Sequence, residues 1–428
     1  MNRYLVSLLL PFLLVALSGK TQGPIKVEIR QSGESFELLR DGQPYYIKGV
    51  GGQKHLDRAV EYGANSLRTW GVDDALKVLD EAHEKGLTVL FGLWVGVERQ
   101  GFDYNDGKAV KAQLEMFTEV VKAHKHHPAI LMWGIGNEND LFYTDFKVWD
   151  AINDIAKMIH ENDPNHPTMT VTAGIDVAEV QLIRERAPHI DVLGINTYGE
   201  LIGIDKQIRS FGWDKPYVIT EWGPTGHWEV AKTNWDVPIE QTSTEKAASY
   251  LERYTKGIAA DREKCLGSYV FLWGYKQETT PTWYGVFLED STETAVMDEL
   301  QYVWSGQYPG NRSPQIQALT IDGKKATESI YLQPGRYHTF KVDVTDADGD
   351  NLRYRYEILP ESTDIKVGGD AESRPEAENL KTRATNTPNT LEFKAPRQVG
   401  PYRLFVYVYD GHGNAGVGNV PFFVGTAD

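Results

Sequence analysis

The feature that most constrains the fold of this chain is an alternation of short apolar runs with amphipathic segments, repeated about eight times. Short apolar runs bounded by turn residues are typical of buried strands, whereas apolar residues three or four apart are typical of helices. The predicted strands are residues 46–50, 64–70, 87–95, 129–136, 167–173, 190–198, 216–222 and 266–273. Eight strand–helix units over about 260 residues predict an α/β fold, the (β/α)8 TIM barrel. A doubly wound sheet is the alternative, but no glycine-rich phosphate loop follows the first strand.

The pattern changes at residues 304–316, a segment rich in Pro, Gly and Asn that predicts a linker. Beyond it, apolar and polar residues alternate and are interrupted by Asp/Gly turns, as in antiparallel strands. We therefore expect a small all-β, immunoglobulin-like sandwich at residues 309–428. Residues 23–308 are assigned to the barrel together with an N-terminal hairpin, whose turn is Asp41-Gly42.

Residues 1–22 have the pattern of a secretory signal peptide, with Arg3 followed by an apolar run from Leu5 to Leu17 and then small residues. The run is short for a membrane span and contains Pro11. We expect export to the periplasm or the cell exterior, and a mature protein without a membrane span. Cys265 is the only cysteine, so an internal disulfide is excluded.

The net charge of −16 argues against nucleic acid as a partner, because no basic stripe offsets the acidic excess. We expect a monomer that needs no cofactor and no resident metal. Asp346, Asp348 and Asp350 have calcium-like spacing, but the downstream Glu of a calcium-binding helix–loop–helix is missing. A plain hairpin turn is favoured there, and calcium binding is left open.

Two glutamates follow predicted core strands. Glu138 ends the fourth strand in the stretch ILMWGIGNEND, and Glu221 ends the seventh in YVITEWG. Burying an unpaired carboxylate is costly, and the carboxyl ends of barrel strands meet at one face, where active sites are built. Two carboxylates facing one cleft are what glycoside hydrolysis requires. The sequence therefore predicts Glu138 and Glu221 as a catalytic pair.

These residues, with an aromatic strand that ends at Trp273, resemble clan A of the glycoside hydrolases, a group of retaining (β/α)8 enzymes. The resemblance covers roughly residues 30–305. It implies that Glu138 is the acid/base and Glu221 the nucleophile. It also implies that Asn137 contacts the sugar 2-hydroxyl, that Arg68 and Tyr198 hold the nucleophile, and that Trp273 lies under the sugar.

Aromatic residues near the strand ends and in the loops after them suit a sugar cleft, since apolar ring faces stack on aromatic rings. The further substrate-binding candidates are Trp94, Trp222, Trp228 and Lys276. Trp235 and Trp283, in the loops after the seventh and eighth strands, are expected to reach the same cleft.

Within the clan, the chain resembles both family 2-like barrels and endo-β-1,3-glucanases with an immunoglobulin-like domain. It departs from family 2 because GVGGQKH (49–55) replaces the usual Asn-x-His, and no sandwich precedes the barrel in the sequence. The leading interpretation is a retaining β-glycoside hydrolase that cuts a polysaccharide or oligosaccharide internally, with β-1,3-glucan as best guess. The alternatives are a β-glucan transglycosylase, an exo-acting family 2-like β-glycosidase and a non-catalytic sugar-binding protein.

Overall fold

The computed structural model of the protein describes residues 23–426, so the predicted signal peptide lies outside the described residues. Three antiparallel strands come first: β1 (Val27–Ser32), β2 (Ser35–Arg40) and β3 (Gln43–Pro44). Asp41 and Gly42 form the predicted turn, with φ angles of 51° and 71°. Val27 and Leu38 pack against residues from the first halves of the barrel strands, such as Ile47. This small sheet therefore closes the amino-terminal end of the barrel.

Eight parallel strands close into a barrel, which confirms the predicted fold class. Each predicted apolar run overlaps one strand, with β4 and β11 each extending one residue outside the predicted range. The strands are β4 (Ile47–Gly51), β5 (Ser66–Arg68), β6 (Thr88–Leu93), β7 (Ile130–Ile135), β8 (Thr168–Ala173), β9 (Val192–Asn196), β10 (Tyr217–Trp222) and β11 (Cys265–Val270). β11 pairs with both β10 and β4, and this pairing completes the ring.

Helices surround the barrel and bury one apolar face each. They are α1 (Leu56–Glu61), α2 (Ala75–Glu84), α3 (Gly107–His124), α4 (Lys147–Asn162), α5 (Val177–Arg186), α6 (Ile204–Ser210), α7 (Ser243–Arg253) and α8 (Val296–Ser305). In α4, the buried Ile152, Ile155 and Ile159 recur at helical spacing. Thr242 and Glu245 form a capping box that begins α7. Within residues 23–426, no helix has the length and apolar character needed to cross a membrane.

An all-β domain of two sheets follows the barrel. Its strands are β12 (Glu293–Thr294), β13 (Gln315–Ile321), β14 (Ile330–Leu332), β15 (Tyr337–Thr345), β16 (Arg353–Pro360), β17 (Thr382–Arg383), β18 (Thr390–Lys394), β19 (Gly400–Tyr409) and β20 (Asn414–Val424). One sheet has the order β12-β20-β19-β16 with β14 beside β20, and the other has the order β13-β15-β18-β17. We call this domain the sandwich.

The barrel and the sandwich are joined by a strand pair and by buried hydrogen bonds. β12 belongs to the loop after β11, yet it pairs in parallel with β20 of the sandwich. Beside it, the buried Glu240 accepts hydrogen bonds from Lys246 (2.5 Å) and from Asn419 of the sandwich (2.7 Å). Arg403 of the sandwich donates to the carbonyl oxygen of Pro238 in the barrel at 2.8 Å. Because buried charges are costly without partners, each domain depends on the other here.

Candidate active site

The turn after β7 presents Glu138 to the barrel mouth. Glu138 has a positive φ of 50°, which turns the chain sharply at that residue. The Asn139 amide donates to the carbonyl oxygen of Val95 after β6 (3.3 Å), and the Asp140 carboxylate accepts from the Ala173 N–H at the end of β8 (2.9 Å). The neighbouring polar side chains therefore hold the turn in place. Unlike the Asn139 and Asp140 side chains, the Glu138 carboxylate does not hold the turn and is directed towards the cleft.

Glu221, near the end of β10, accepts hydrogen bonds from three side chains. Arg68 Nη1 donates to Oε1 at 3.0 Å, Trp70 Nε1 donates to Oε1 at 2.8 Å, and the Tyr198 hydroxyl donates to Oε2 at 3.1 Å. Burial raises the pKa of Tyr198 well above its usual value, so the phenol keeps its proton and remains a donor. Among residues 23–426, Glu221 has three side-chain donors and no acceptor, which suits an ionised carboxylate, since that group can only accept.

Asn196, the last residue of β9, joins the two glutamates into one network. Its Nδ2 donates to Glu138 Oε1 at 2.8 Å, and its Oδ1 accepts from Arg68 Nη1 at 3.3 Å. Arg68 Nη2 donates to Asn137 Oδ1 at 2.6 Å. Within residues 23–426, no hydrogen bond engages the Asn137 Nδ2 donor, which leaves it available to a hydroxyl of a bound sugar.

The surroundings of the two glutamates differ. Burial, and next the charge of the nearby Glu221, raise the pKa of Glu138 to about 7. Its one neutral donor, Asn196, opposes this rise. Glu138 is therefore suited to hold a proton near neutral pH, whereas Glu221 is held by a guanidinium and two further donors. Such an arrangement can supply one acid and one nucleophile.

Three of the other candidates lie around this pair. Trp228 is 58% exposed and its ring meets that of Tyr198 edge-on, with centroids 5.7 Å apart. Trp94 is partly exposed directly after β6. Lys276 lies beside the cleft, 5.6 Å above the Phe271 ring, but its ammonium also contacts Glu278 at 2.6 Å.

The predictions for Trp222 and Trp273 are wrong. The Trp222 side chain is fully buried and packs between the barrel and the helical layer, against Tyr250 and Tyr254. Trp273 is 1% exposed, and its ring packs against Phe287 and Trp304. Neither ring can lie under a substrate.

Trp235 and Trp283 are also outside the cleft, contrary to expectation. Trp235 packs on Tyr331 and Phe423 of the sandwich. Trp283 is buried and donates to the carbonyl oxygen of Thr225 at 3.0 Å.

Sequence reasoning missed Asn196 and Phe271, and it expected Trp70 on the cleft rim without its bond to Glu221. Trp70 bonds Glu221 and Asn196 bonds Glu138; both lie at or just after a strand end, so their positions were a usable signal. Phe271 is the aromatic residue after β11 that lies beside Tyr198, with ring centroids 6.2 Å apart.

The three aspartates of the sandwich do come together, with carboxylate oxygens within 4.8 Å of one another. Asp346 accepts from the N–H groups of Asp348 and Asp350 at 3.1 and 2.9 Å, as in a tight turn. Asn311 donates to Asp350 at 2.7 Å. The expected hairpin turn is wrong, because this turn joins β15 in one sheet to β16 in the other, and calcium binding stays untested.

Comparisons with known proteins address the barrel. A family model described as "Glycosyl hydrolases family 2, TIM barrel domain" matches residues 59–307. Human β-glucuronidase is 24% identical over 319 residues, which cover 67% of this chain and 44% of that protein. The β-glucuronidase of Paenibacillus borealis is 26% identical over 262 residues, which cover 52% of this chain and 41% of that protein. The chain thus spans less than half the length of these relatives.

Solved structures show the same fold. A calcium-binding mutant of Bacteroides uniformis β-glucuronidase 2 has a TM-score of 0.52 and 16% identity, and the match covers 93% of this chain and 48% of that chain. Bifidobacterium dentium β-glucuronidase, complexed with coumarin-3-O-glucuronide, has a TM-score of 0.50 and 20% identity, covering 66% and 50%.

The comparisons support the family 2-like part of the predicted resemblance and lend no support to the endo-β-1,3-glucanase part. The family model covers more than half of the chain, including β5 to β11 with Arg68, Glu138 and Glu221. The chain therefore belongs to glycosyl hydrolase family 2, through its TIM barrel domain.

Proposed function

We propose that this protein is an exo-acting, retaining β-glycosidase. The observation that carries the proposal is the pairing of two unlike glutamates in one network: Glu221 with three donors, and Glu138 with a pKa raised to about 7. Family membership supports the same activity. Exo-action was an alternative in the sequence interpretation, and the β-glucuronidase names of the relatives favour it over internal cutting of β-1,3-glucan.

In the first step, the Glu221 carboxylate attacks the anomeric carbon and Glu138 gives its proton to the departing oxygen. The products are a glycosyl ester on Glu221 and a free alcohol. In the second step, Glu138 takes a proton from water as the water oxygen attacks the anomeric carbon. The ester bond breaks, Glu221 leaves as a carboxylate and Glu138 is again protonated. Two inversions retain the β-configuration.

The network assigns a task to each neighbour of the pair. Arg68 and Tyr198 orient Glu221 and stabilise the carboxylate that is present before attack and after release. Asn196 positions Glu138, and Asn137 offers its free amide donor to a sugar hydroxyl. The intact pair also argues against the non-catalytic alternative, since a pure binding site needs no such separation of roles.

Two classes of sugar are candidates for the glycone. The names of the relatives point to a β-glucuronide. A neutral β-hexoside is the second candidate, because the Lys276 ammonium already contacts Glu278, and burial together with the nearby charge of Glu221 raises the pKa of Glu278. A uronate would add one more negative charge there.

The test is a panel of p-nitrophenyl glycosides: β-D-glucuronide, β-galactoside, β-glucoside, β-mannoside and one α-glucoside as control. We expect turnover of one or more β-glycosides and none of the α-glucoside. Proton NMR of the first product should show the β-anomer before mutarotation. An α-anomer as first product would refute retention.

The matched variants are Glu221→Gln and Glu138→Gln, which change one functional group each and conserve shape. Glu34→Gln, at an exposed turn far from the barrel mouth, is the control. Both site variants should lose turnover by roughly 10²-fold or more on the parent glycoside, and the control should not. Unchanged turnover in either site variant would place the chemistry elsewhere. We also propose that the protein is exported and monomeric, which the sequence alone suggests.

A further inference from the structure

A segment of the sandwich reaches the face of the barrel where Glu138 and Glu221 lie. It is the part of the β16–β17 connection formed by residues 362–373, called here the 362–373 loop. Its contacts involve two barrel connections. After β6, Arg99 donates to the carbonyl oxygen of Gly368 at 3.4 Å, and Gln100 donates to Asp370 at 3.2 Å.

The second set of contacts is with the connection after β11. Lys276 Nζ donates to the carbonyl oxygen of Gly369 at 2.7 Å, and the Thr279 N–H donates to Glu372 Oε2 at 2.6 Å. A Cβ at Gly368 would lie 2.6 Å from the Arg99 guanidinium, so the backbone itself packs onto the barrel at this point. The φ angles of 64° and 72° at Gly368 and Gly369 also favour glycine.

The position of the loop follows from the strand order. β6 and β11 are separated by β4 and β5 in the ring, so a loop held at both crosses above the ends of β4 and β5. The strands directly opposite in the ring are β8 and β9. Glu138 is tied to that opposite side, since its N–H donates to Val171 of β8 and its carboxylate accepts from Asn196 of β9.

This placement decides which end of a substrate meets the loop. The acid must lie next to the oxygen of the leaving group, so the leaving group extends on the Glu138 side. The sugar whose anomeric carbon reacts then points its far, non-reducing end towards β4, β5 and the 362–373 loop. A further sugar attached at that end would collide with the loop.

We propose that the 362–373 loop is the end wall of the sugar pocket and that it restricts attack to a terminal sugar. This inference rests on the proposed function and gives a structural cause for its exo-action. Lys276 is the residue that joins the wall to the site. Its ammonium contacts Gly369 and lies 5.6 Å above the ring of Phe271, which packs beside the Glu221 partner Tyr198.

The test is a loop-shortened variant in which two glycines replace residues 365–372. The ends fit such a link, because the Asp364 carboxylate accepts from the Ser373 N–H at 3.0 Å and from its hydroxyl at 2.9 Å. The control keeps the backbone wall and changes only Ile365 and Val367 to Ser, two side chains that are 48% and 56% exposed.

The first readout is turnover of an accepted p-nitrophenyl glycoside and of the same glycoside with an extra sugar at its non-reducing end. The full-length protein and the control should reject the extended substrate. The shortened variant should gain about tenfold or more in kcat/KM on it, as expected when a steric block is removed. An extended substrate accepted by the full-length protein, or no gain in the shortened variant, would overturn the wall.

The second readout needs no turnover. Cys265 is buried and Phe271 is only 8% exposed, so Phe271→Cys introduces one further thiol that is shielded beneath Lys276 in the full chain. A bulky maleimide should label this thiol about tenfold faster once the loop is shortened, since reaction depends on access. Phe142→Cys, at a position 64% exposed on the Glu138 side, should label equally with and without the loop.

If no glycoside is turned over but shortening the loop still raises the Phe271→Cys labelling rate, the proposed function is refuted, whereas the loop is still shown to cover this side of the pocket. Labelling that does not change refutes the wall whatever the activity. If the shortened variant does not fold, Glu372→Ala in the full chain takes its place. It removes the acceptor that binds the Thr279 N–H and should raise the labelling rate in the same direction.

Discussion

Replacing Glu138 by Gln should make the protein more stable at alkaline pH, although it removes a catalytic group. Burial and the charge of Glu221 raise the pKa of Glu138 from 4.5 to about 7. A carboxyl group whose pKa is higher in the folded than in the unfolded state binds its proton more tightly when folded. Stability therefore falls as pH rises through this window, and the full cost is present above pH 7.

The size of the cost follows from the two pKa values. One pKa unit corresponds to 1.36 kcal/mol, so the rise from 4.5 to about 7 is worth about 3 kcal/mol of unfolding free energy. Screening by solvent in the cleft, to which Glu138 is partly exposed, reduces this to roughly 2 kcal/mol. With an unfolding entropy of about 2.1 cal/mol/K per residue over the described chain, the melting temperature should rise by about 2 °C.

The assay is differential scanning calorimetry of the wild type and Glu138→Gln at pH 4 and pH 8. The variant should melt higher at pH 8 and at nearly the same temperature at pH 4, where Glu138 is protonated in both states. Glu34→Gln, at the exposed turn between β1 and β2, should show no such pH-dependent difference. A melting temperature of Glu138→Gln at pH 8 that is equal to or below that of the wild type would refute the claim that the ionised Glu138 carboxylate destabilises the fold.

Three further outcomes are expected. The kcat/KM of an unactivated β-glycoside should fall as pH rises above about 7, because Glu138 loses its proton. This fall should be absent for a glycoside with a dinitrophenyl leaving group, which departs without an acid. A fall that persists with the dinitrophenyl substrate would belong to another residue. Azide should restore turnover to Glu221→Ala with an α-glycosyl azide as product; a β-azide would mean that the two roles are exchanged. Truncation after Gly310 should destabilise the barrel, because Glu240 and Lys246 lose Asn419 and the surrounding sandwich; urea unfolding at an unchanged midpoint would contradict this.

The barrel and its two glutamates could be predicted because both depend on local patterns. Each strand is a short apolar run, and Glu138 and Glu221 stand where such runs end. The error at Trp222 was avoidable: neighbouring residues of a strand point to opposite faces, so Glu221 directed inwards requires Trp222 directed outwards. Trp273 lies beyond the end of β11, where that rule no longer applies, and its neighbours Phe287 and Trp304 are set by tertiary packing.

The role of residues 362–373 could not be predicted, because it depends on how the two domains meet. Acidic residues, glycines and Pro375 in this part of the sequence indicate a loop but do not say what it contacts. Its partners Arg99 and Lys276 are distant in the chain, at separations that no local pattern reports. Open clefts and blocked clefts can share the same barrel sequence signals, so mode of attack is a property of the assembled chain.

The short strand β12 has a consequence for how the chain can be rearranged. A segment of the barrel's last loop completes a sheet of the sandwich, so the boundary between the two cores does not coincide with a single point in the sequence. A chimera made by joining this barrel to a foreign sandwich at the 304–316 linker would leave Glu293 and Thr294 without their strand partner β20. Recombination that keeps both partners would have to exchange residues 286–428 as one block, so the exchangeable unit begins inside the last loop of the barrel.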